Sequence, residues 1–358
     1  MSAGTTGQRR HATMRDVAAL AGVGLKTVSR VVNGEPNVSA ETTERVERAI
    51  EALGFEPNHG AGSLRRGGGR TQTIGLILDA VDNPFSATIN RAVEIVAAAR
   101  GTAVFAASSD DDTGRERELV AAFNRRRVDG LIITAYGPDQ GYLQSEREHG
   151  TPLVFVDRVP NGLLADVVLT DNVFWAGVAT RHLIDHGHRR IAFLGDDVGI
   201  PTARDRRLGY VQTMAAAGLE VLDGFSVGDL TSVELASAAV ERLIERPDPP
   251  TALITAQNLI TIGGVRALHR RGRQSEIALV GFDDLPLADL LTPGITVVAQ
   301  DPAGIGRVAA ERLFARMDDD SAPAETITVP ARLIIRGSGE LRAREDGRVG
   351  PGSRVPAS

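Results

Sequence analysis

Between Thr13 and Leu53 the apolar positions recur at helical spacing, and from Thr73 onward they gather instead into short β-branched runs separated by amphipathic stretches. In the first region a helix is predicted to begin at Met14, because Thr13 and Asp16 stand at capping-box spacing. Val17, Ala18, Leu20 and Ala21 form its apolar stripe, and Gly22 relieves the backbone where the chain turns. A second helix starts near Leu25. In it Val28, Val31 and Val32 face inward, which leaves Leu25, Lys26, Thr27, Ser29 and Arg30 toward solvent. Ser39 caps a third helix whose apolar face is Val46, Ala49, Ile50 and Leu53, ended by Gly54. Two short helices joined by a glycine turn are either a small hairpin with a polar face or a helix-turn-helix, whose second helix enters the DNA major groove. The third helix, which completes a small core, favours the DNA-reading alternative.

Residues 57–71 are rich in glycine and arginine and read as a linker. Ala61, Ser63, Leu64 and Arg65 could form a helical turn if a partner held them, but Gly60, Gly62 and Gly67 disfavour it in isolation. Beyond the linker, strands are expected at 74–78, 103–107, 130–134 and 153–156, with helices at 87–99 and 116–126. The pattern restarts with strands at 167–169, 191–194, 252–255 and 277–280 and helices at 176–185, 206–217, 232–245, 263–271 and 304–316. Such alternation means parallel sheets with helices on both faces, here enough for two α/β lobes. The last stretch, 339–358, is Gly-, Arg- and Pro-rich and is expected to be a disordered tail.

Composition sharpens this picture. With 42% hydrophobic and 24% charged residues over 358 positions, the chain suits a globular protein of two or three domains. No stretch approaches the ~18 consecutive apolar residues of a membrane span. The polar N-terminus, with Arg9, Arg10 and His11, carries no secretory pattern, so a cytoplasmic, nucleoid-associated protein is expected. The absence of cysteine excludes a disulfide framework, a thiolate metal site and a cysteine nucleophile. The net charge of −6 hides an asymmetry: residues 1–70 hold 10 Lys/Arg against 7 Asp/Glu, and the remainder holds 30 against 39. That is a basic reader on an acidic body.

Ligands of open parallel sheets sit beyond the carboxyl ends of the strands. The residues there are Asp79, Asp82, Asn83 and Phe85, then Thr134, then Asp157 and Arg158, then Gln257 and Asn258, then Asp283 and Asp284, joined by Arg204, Arg206 and Arg207 of a helix entrance. Carboxylates, amides and a forked guanidinium beside an aromatic face suit a polyhydroxylated small molecule. The bland alternative is that each of these residues only caps a helix or pairs on the surface.

Enzyme readings are weak. Gly22 to Thr27 resembles a phosphate loop only superficially, since Leu25 stands where glycine is required before the lysine. His182, His186 and His188 approach ligand spacing, yet Leu183 replaces the metalloprotease glutamate and Gly187 ends the helix. Asp110, Asp111 and Asp112 read most simply as a solvated loop. No catalytic residue, metal or cofactor is expected.

Ordered motifs give a more specific signal: Thr-Met-Arg-Asp-Val-Ala (13–18), Thr-Val-Ser-Arg-Val-Val-Asn (27–33), Leu-Gly-Phe-Glu-Pro-Asn (53–58), Asp-Asn-Pro-Phe (82–85), Val-Asp-Arg (156–158), Gly-His-Arg-Arg-Ile-Ala (187–192) and Val-Gly-Phe-Asp-Asp (280–284). Together they resemble the lac repressor/galactose repressor (LacI/GalR) family of bacterial transcription regulators over residues 13 to about 338. The resemblance implies an α/β protein with a three-helix helix-turn-helix headpiece (13–57) after an N-terminal extension (1–12), and a hinge helix or linker (58–72). A two-lobed core (73–338) folded like type I periplasmic sugar-binding proteins would follow. Chain crossings near Asp166, Thr296 and Thr328 would give an N-subdomain of 73–165 and 297–327 and a C-subdomain of 166–296 and 328–338.

On this resemblance Thr13, Leu25, Lys26, Thr27, Ser29, Arg30, Asn33, Asn58, Ala61 and Leu64 are DNA-binding positions. Leu25 and Lys26 would set specificity, Arg30 would read guanine, and Leu64 would wedge into the minor groove. Asn83, Phe85, Thr134, Asp157, Arg158, Arg206, Gln257, Asn258, Asp283 and Gln300 would line the effector pocket. The implied partners are double-stranded DNA with a near-palindromic operator, a sugar or sugar derivative as effector, and a second copy of the chain, dimer or tetramer, with no membrane. The implied function is repression of a carbohydrate-utilisation operon. A periplasmic-type sugar-binding protein without a DNA role would share the core but not the headpiece. Three departures stand out: Gln257-Asn258 where the family has Asn-Asp, Phe174-Trp175 where small residues are commoner, and glycines at 60 and 62 that weaken the hinge helix.

Overall fold

The computed structural model describes residues 12–32, 35–36, 38–55, 70–319 and 321–343, and the chain divides into two compact units between Thr71 and Gln72. The proposed hinge helix, with Asn58, Ala61 and Leu64, and also Asn33, lies outside the described residues.

The first unit holds α1 (Met14–Ala21), α2 (Leu25–Val32) and α3 (Ala40–Leu53). The expected capping box is formed: Asp16 N donates to Thr13 Oγ1, while the Asp16 carboxylate accepts from Thr13 N at 2.8 Å. Gly22 ends α1 at φ 65°, a left-handed position that glycine adopts without Cβ strain. Arg45 of α3 donates to Ala21 O at 2.6 Å and so satisfies a carbonyl at the end of α1. Val17, Ala18, Ala21, Val28, Val46, Ala49 and Phe55 are buried together.

The second unit contains two six-stranded sheets. In the first, the order is β11 (Thr326–Thr328), β5 (Asp166–Leu169), β4 (Leu153–Val156), β3 (Leu131–Ile133), β1 (Thr73–Leu78), β2 (Ala103–Ser108), all parallel. In the second it is β12 (Arg332–Ile334), β10 (Thr296–Ala299), β9 (Ala278–Phe282), β8 (Ala252–Thr255), β6 (Ile191–Leu194), β7 (Ser226–Val227), parallel except for the β10/β12 pair. Each sheet carries an apolar cluster on either face, as parallel sheets require.

Helices α4 (Pro84–Ala99), α5 (Thr113–Arg125), α6 (Gln144–Glu148) and α11 (Pro302–Met317) serve the first lobe, and α7 (Asn172–Asp185), α8 (Pro201–Ala216), α9 (Val233–Ile244) and α10 (Asn258–Arg270) the second. Where α7 and α8 pack, a Cβ built on Gly209 would stand 2.1 Å from Val173 O, so only glycine permits that approach.

The crossing expected near Thr328 lies between β11 and β12, but the other two fall later than expected. Residues 166–169 form β5 of the first sheet, not the start of the C-subdomain, and 296–299 form β10 of the second sheet, not the return to the first. The reason is geometric: a strand stays in its sheet to its carboxyl end, and the chain changes lobes only in the loop beyond. The tail expectation also changes at its start. Residues 339–343 are held on the second lobe, with His188 Nε2 2.7 Å from Leu341 O, Glu340 bonded to His182 and Thr296, and Ala343 N donating to His186 O. Of the three histidines considered as metal ligands, His182 and His188 thus hold the tail through their rings and His186 through its backbone carbonyl.

Candidate DNA-reading surface and ligand cleft

In the headpiece, α2 buries Val28 completely and half-buries Val31 and Val32, so its opposite side faces outward. Leu25, Lys26 and Arg30 are exposed, and Thr27 and Ser29 are half-buried. An exposed leucine at 41% accessibility at the start of a helix is available for apolar contact with a thymine methyl or sugar. Arg30 stands 3.9 Å from Glu35, an exposed pair that leaves the guanidinium in water. Thr13 serves α1, with its hydroxyl 2.6 Å from the Asp16 carboxylate.

The two lobes of the second unit share a cavity lined by Asp79, Asn83, Phe85, Asp111, Asp157, Arg158, Asp196, Ile200, Thr202, Ala203, Arg206, Ala256, Gln257, Asp283 and Gln300. Eight of the ten residues singled out in the sequence are among them. Thr134 is not. It is buried behind the wall, where its N–H donates to Ile77 O. Asn258 is not in the lining either; its amide donates across the cleft to Asn83 Oδ1 at 2.8 Å. The family's acidic residue at that position is thus replaced by a neutral bridge.

Strand ends place the charged groups. Asp157 follows β4 at φ 65° and Asp283 follows β9 at φ 66°, each with its backbone N–H bonded to the neighbouring strand, at Val168 O and Val298 O. A non-glycine residue at such φ is uncommon and costs energy, which marks both turns as built features. Arg206 enters from α8. Its Nε donates to Asn172 Oδ1 and its Nη1 to Ala256 O, both at 2.7 Å, and its guanidinium lies over the Phe282 ring at 4.2 Å. Gln300 Nε2 donates to Asp283 Oδ1 at 2.7 Å. Gln257 Oε1 caps α10 through Leu259 N and Ile260 N.

Burial pushes the carboxyls of Asp157, Asp196 and Asp283 above the usual range; nearby Arg206 works against this in all three and Arg158 in Asp157 and Asp196. Burial works to lower the Arg158 guanidinium, but Asp111 and Asp157 outweigh it and hold it charged. Asp157 Oδ1 and Gln300 Oε1 are buried acceptors that have no partner within the protein. Orphaned buried acceptors are expensive, so their presence in a cleft points to a ligand that donates.

Asp79, a strand-end candidate, belongs to the lining, and so do Asp111, Asp196 and Thr202, which were not selected from the sequence. Asp79 follows β1 and accepts from Ser86 Oγ. Asp111, which reads as solvated loop, reaches Arg158 Nη1 at 2.5 Å. Behind the wall, Glu116 of α5 is 1% exposed and accepts from Tyr136 N at 2.8 Å and Tyr142 Oη at 2.7 Å. That network fixes Tyr136, whose hydroxyl donates to Asp197 of the second lobe at 3.2 Å. The signal for Glu116 was available, since it falls on one stripe with Val120 and Phe123. Trp175 packs on the second lobe's core, edge-on to an exposed Phe174, and is not in the cleft.

Residues 13–58 match the family model described as bacterial regulatory proteins, lacI family, and residues 180–339 match the periplasmic binding protein-like domain. The ribose operon repressor of Escherichia coli (strain K12) is 32% identical over 330 residues, covering 91% of this chain and 99% of that protein. The chain belongs to the lacI family of bacterial regulatory proteins. This lacI-family regulator is also similar to the lac repressor dimer bound to operator and the anti-inducer ONPF, at 25% identity and a TM-score of 0.81, covering 92% of this chain and 99% of that one. The complex of the transcriptional regulator CelR with cellobiose is 31% identical, with a TM-score of 0.68 over 92% of this chain and all of that one. The protein is a DNA-binding transcriptional regulator. No helix among the described residues is long and apolar enough to cross a membrane.

Proposed function

We propose that this regulator represses a carbohydrate-utilisation operon and releases it when a sugar-like inducer occupies the cleft. The observation that carries the reading is that eight polar and aromatic residues assigned to the pocket by strand ends, a helix entrance and the family resemblance meet at one cavity between two lobes, in a chain that also has a helix-turn-helix. Relatives support it in kind: one is named a ribose operon repressor and another is solved with cellobiose. Carboxylates and amides accept from sugar hydroxyls, the guanidinium of Arg158 donates, and Phe85 offers a face to the sugar's C–H side. The protein acts by binding in the cytoplasm, without a chemical step.

Lys26 and Arg30 would read bases, Leu25 would add apolar contact, and Ser29 would hold phosphate. Two copies would place two α2 helices in successive major grooves of a near-palindrome. Leu287 and Leu290, 66% and 72% exposed in one turn after β9, are a candidate part of the dimer face. Leu290→Asp should therefore shift the protein toward monomer in analytical ultracentrifugation and weaken operator binding; an unchanged dimer would remove this face from the interface.

The cleft is bridged by Asn83–Asn258 and Tyr136–Asp197, contacts that opening of the lobes would break. A ligand that favours one lobe angle would couple to DNA through the linker, with a typical coupling of about 1–3 kcal/mol. The sugar reading is tested by thermal shift across a panel of neutral pentoses, hexoses and disaccharides. At least one should raise the melting temperature, by about 2.7 kcal/mol of added stability at a hundred times its Kd. No response to any of them would contradict it.

A further inference from the structure

We infer that Asp111 makes the cleft a charge filter, so that it takes uncharged polyols and refuses their phosphorylated or acidic counterparts. This rests on the reading of the cleft as the effector site. Arg158 is 5% exposed and is one of two guanidiniums in the lining. Such a buried guanidinium would ordinarily be the anchor for a phosphate or carboxylate. Here its charge is already matched: Asp111 Oδ1 accepts from its Nη1 at 2.5 Å, and Asp157 Oδ2 stands 3.6 Å from its Nε, close enough to pair in charge though not to bond. The second, Arg206, already donates to Asn172 and Ala256 and lies on Phe282. Against these two cations the cavity sets five carboxylates: Asp79, Asp111, Asp157, Asp196 and Asp283. An anion entering it would meet net negative charge in a low-dielectric site, where like charges cannot be screened.

The unmet capacity of the wall is mostly of one kind, two acceptors against one donor, Arg158 Nε, and that donor faces Asp157 Oδ2 at 3.6 Å. Asp157 Oδ1 and Gln300 Oε1 are buried acceptors without partners, which call for O–H donors and would repel phosphate oxygens. The backbone carries Asp111 into this position at some cost. Asp110 and Asp111 are consecutive non-glycine residues at φ 53° and 50°, between the end of β2 and Asp112, the N-cap of α5. Two such residues in a row are rare in an ordinary solvated loop.

The test compares the full-length wild type with Asp111→Asn. Asparagine keeps the shape, can still accept from Arg158, and tolerates the left-handed backbone, so the change removes charge alone. Calorimetry is run with inorganic phosphate and with the pairs D-ribose and D-ribose 5-phosphate, D-glucose and D-glucose 6-phosphate. The wild type should bind none of the anions, and Asp111→Asn should gain saturable phosphate binding and improve at least tenfold toward a sugar phosphate. Binding of a sugar phosphate by the wild type as tightly as its neutral partner overturns the filter. So does an Asp111→Asn variant that remains as closed to anions as the parent. If the wild type ignores both neutral sugars while Asp111→Asn gains phosphate, the filter stands and the sugar identity is what fails.

Discussion

Asp283→Ala is expected to abolish the inducer response while leaving operator binding at the parent's level. The carboxylate is 8% exposed at the end of β9, and it is held by Gln300 Nε2 at 2.7 Å. A hydrogen bond to a charged group contributes about 1.5–3 kcal/mol, so losing one of them weakens the sugar about 10- to 150-fold. Fold stability should fall by only about 1–3 kcal/mol, from the Gln300 donor left unpaired, and not through loss of a charge. Burial raises the Asp283 carboxyl above its usual range, so its ionisation opposes folding. The stability it lends is present below the unfolded carboxylate pKa and lost as pH rises through the folded one. At neutral pH its removal therefore costs no charge stabilisation. Calorimetry with the sugar that stabilises the parent, beside a thermal melt at pH 7, separates the two quantities. A normal inducer response in the variant would place the ligand elsewhere.

Arg30→Ala is the second large effect, and it should fall on the other function. Arg30 is exposed on α2 and its ion pair with Glu35 is loose at 3.9 Å, so the headpiece loses little on its removal. Loss of a bidentate guanine contact costs about 1–3 kcal/mol of discrimination against the wrong base. Operator preference should fall about 5- to 150-fold, with a salt-sensitive general affinity for DNA remaining. Fluorescence anisotropy with operator and scrambled duplexes measures both. Unchanged preference would mean that other residues read the bases.

The sequence made much of this legible because two independent periodicities were clean. Helical spacing and caps defined α1 to α3, and strand ends pointed to Asp79, Asn83, Phe85, Asp157, Arg158, Gln257 and Asp283 of the cleft, while Gln300 came only from the family resemblance. Helix starts were the weaker part. The helices read from apolar spacing for α4, α7, α8 and α10 begin a turn or so after the true start, which is set by the caps Asn83, Asp171 and Gln257 or, for α8, by Pro201. Two of the three lobe crossings implied by the resemblance were set at the starts of β5 and β10, because neither motif nor periodicity says which sheet a strand joins. Thr134 and Asn258 show the limit for site residues: a strand-end position fixes the neighbourhood, while side-chain direction decides between lining, bridging and burial. Asp111 was hidden for the opposite reason. Three consecutive aspartates look like a solvated run, and only the left-handed turn at 110–111 aims one of them at Arg158.

The central claim is that one ligand in the cleft controls one reader at the other end of the chain. It is tested most directly by titrating the full-length protein onto its operator duplex with and without the sugar that stabilises it thermally. The account predicts that operator affinity falls by a factor of about 5–150 when the sugar is saturating, and by linkage that operator weakens the sugar by the same factor. A sugar that binds tightly yet leaves operator affinity unchanged would contradict it.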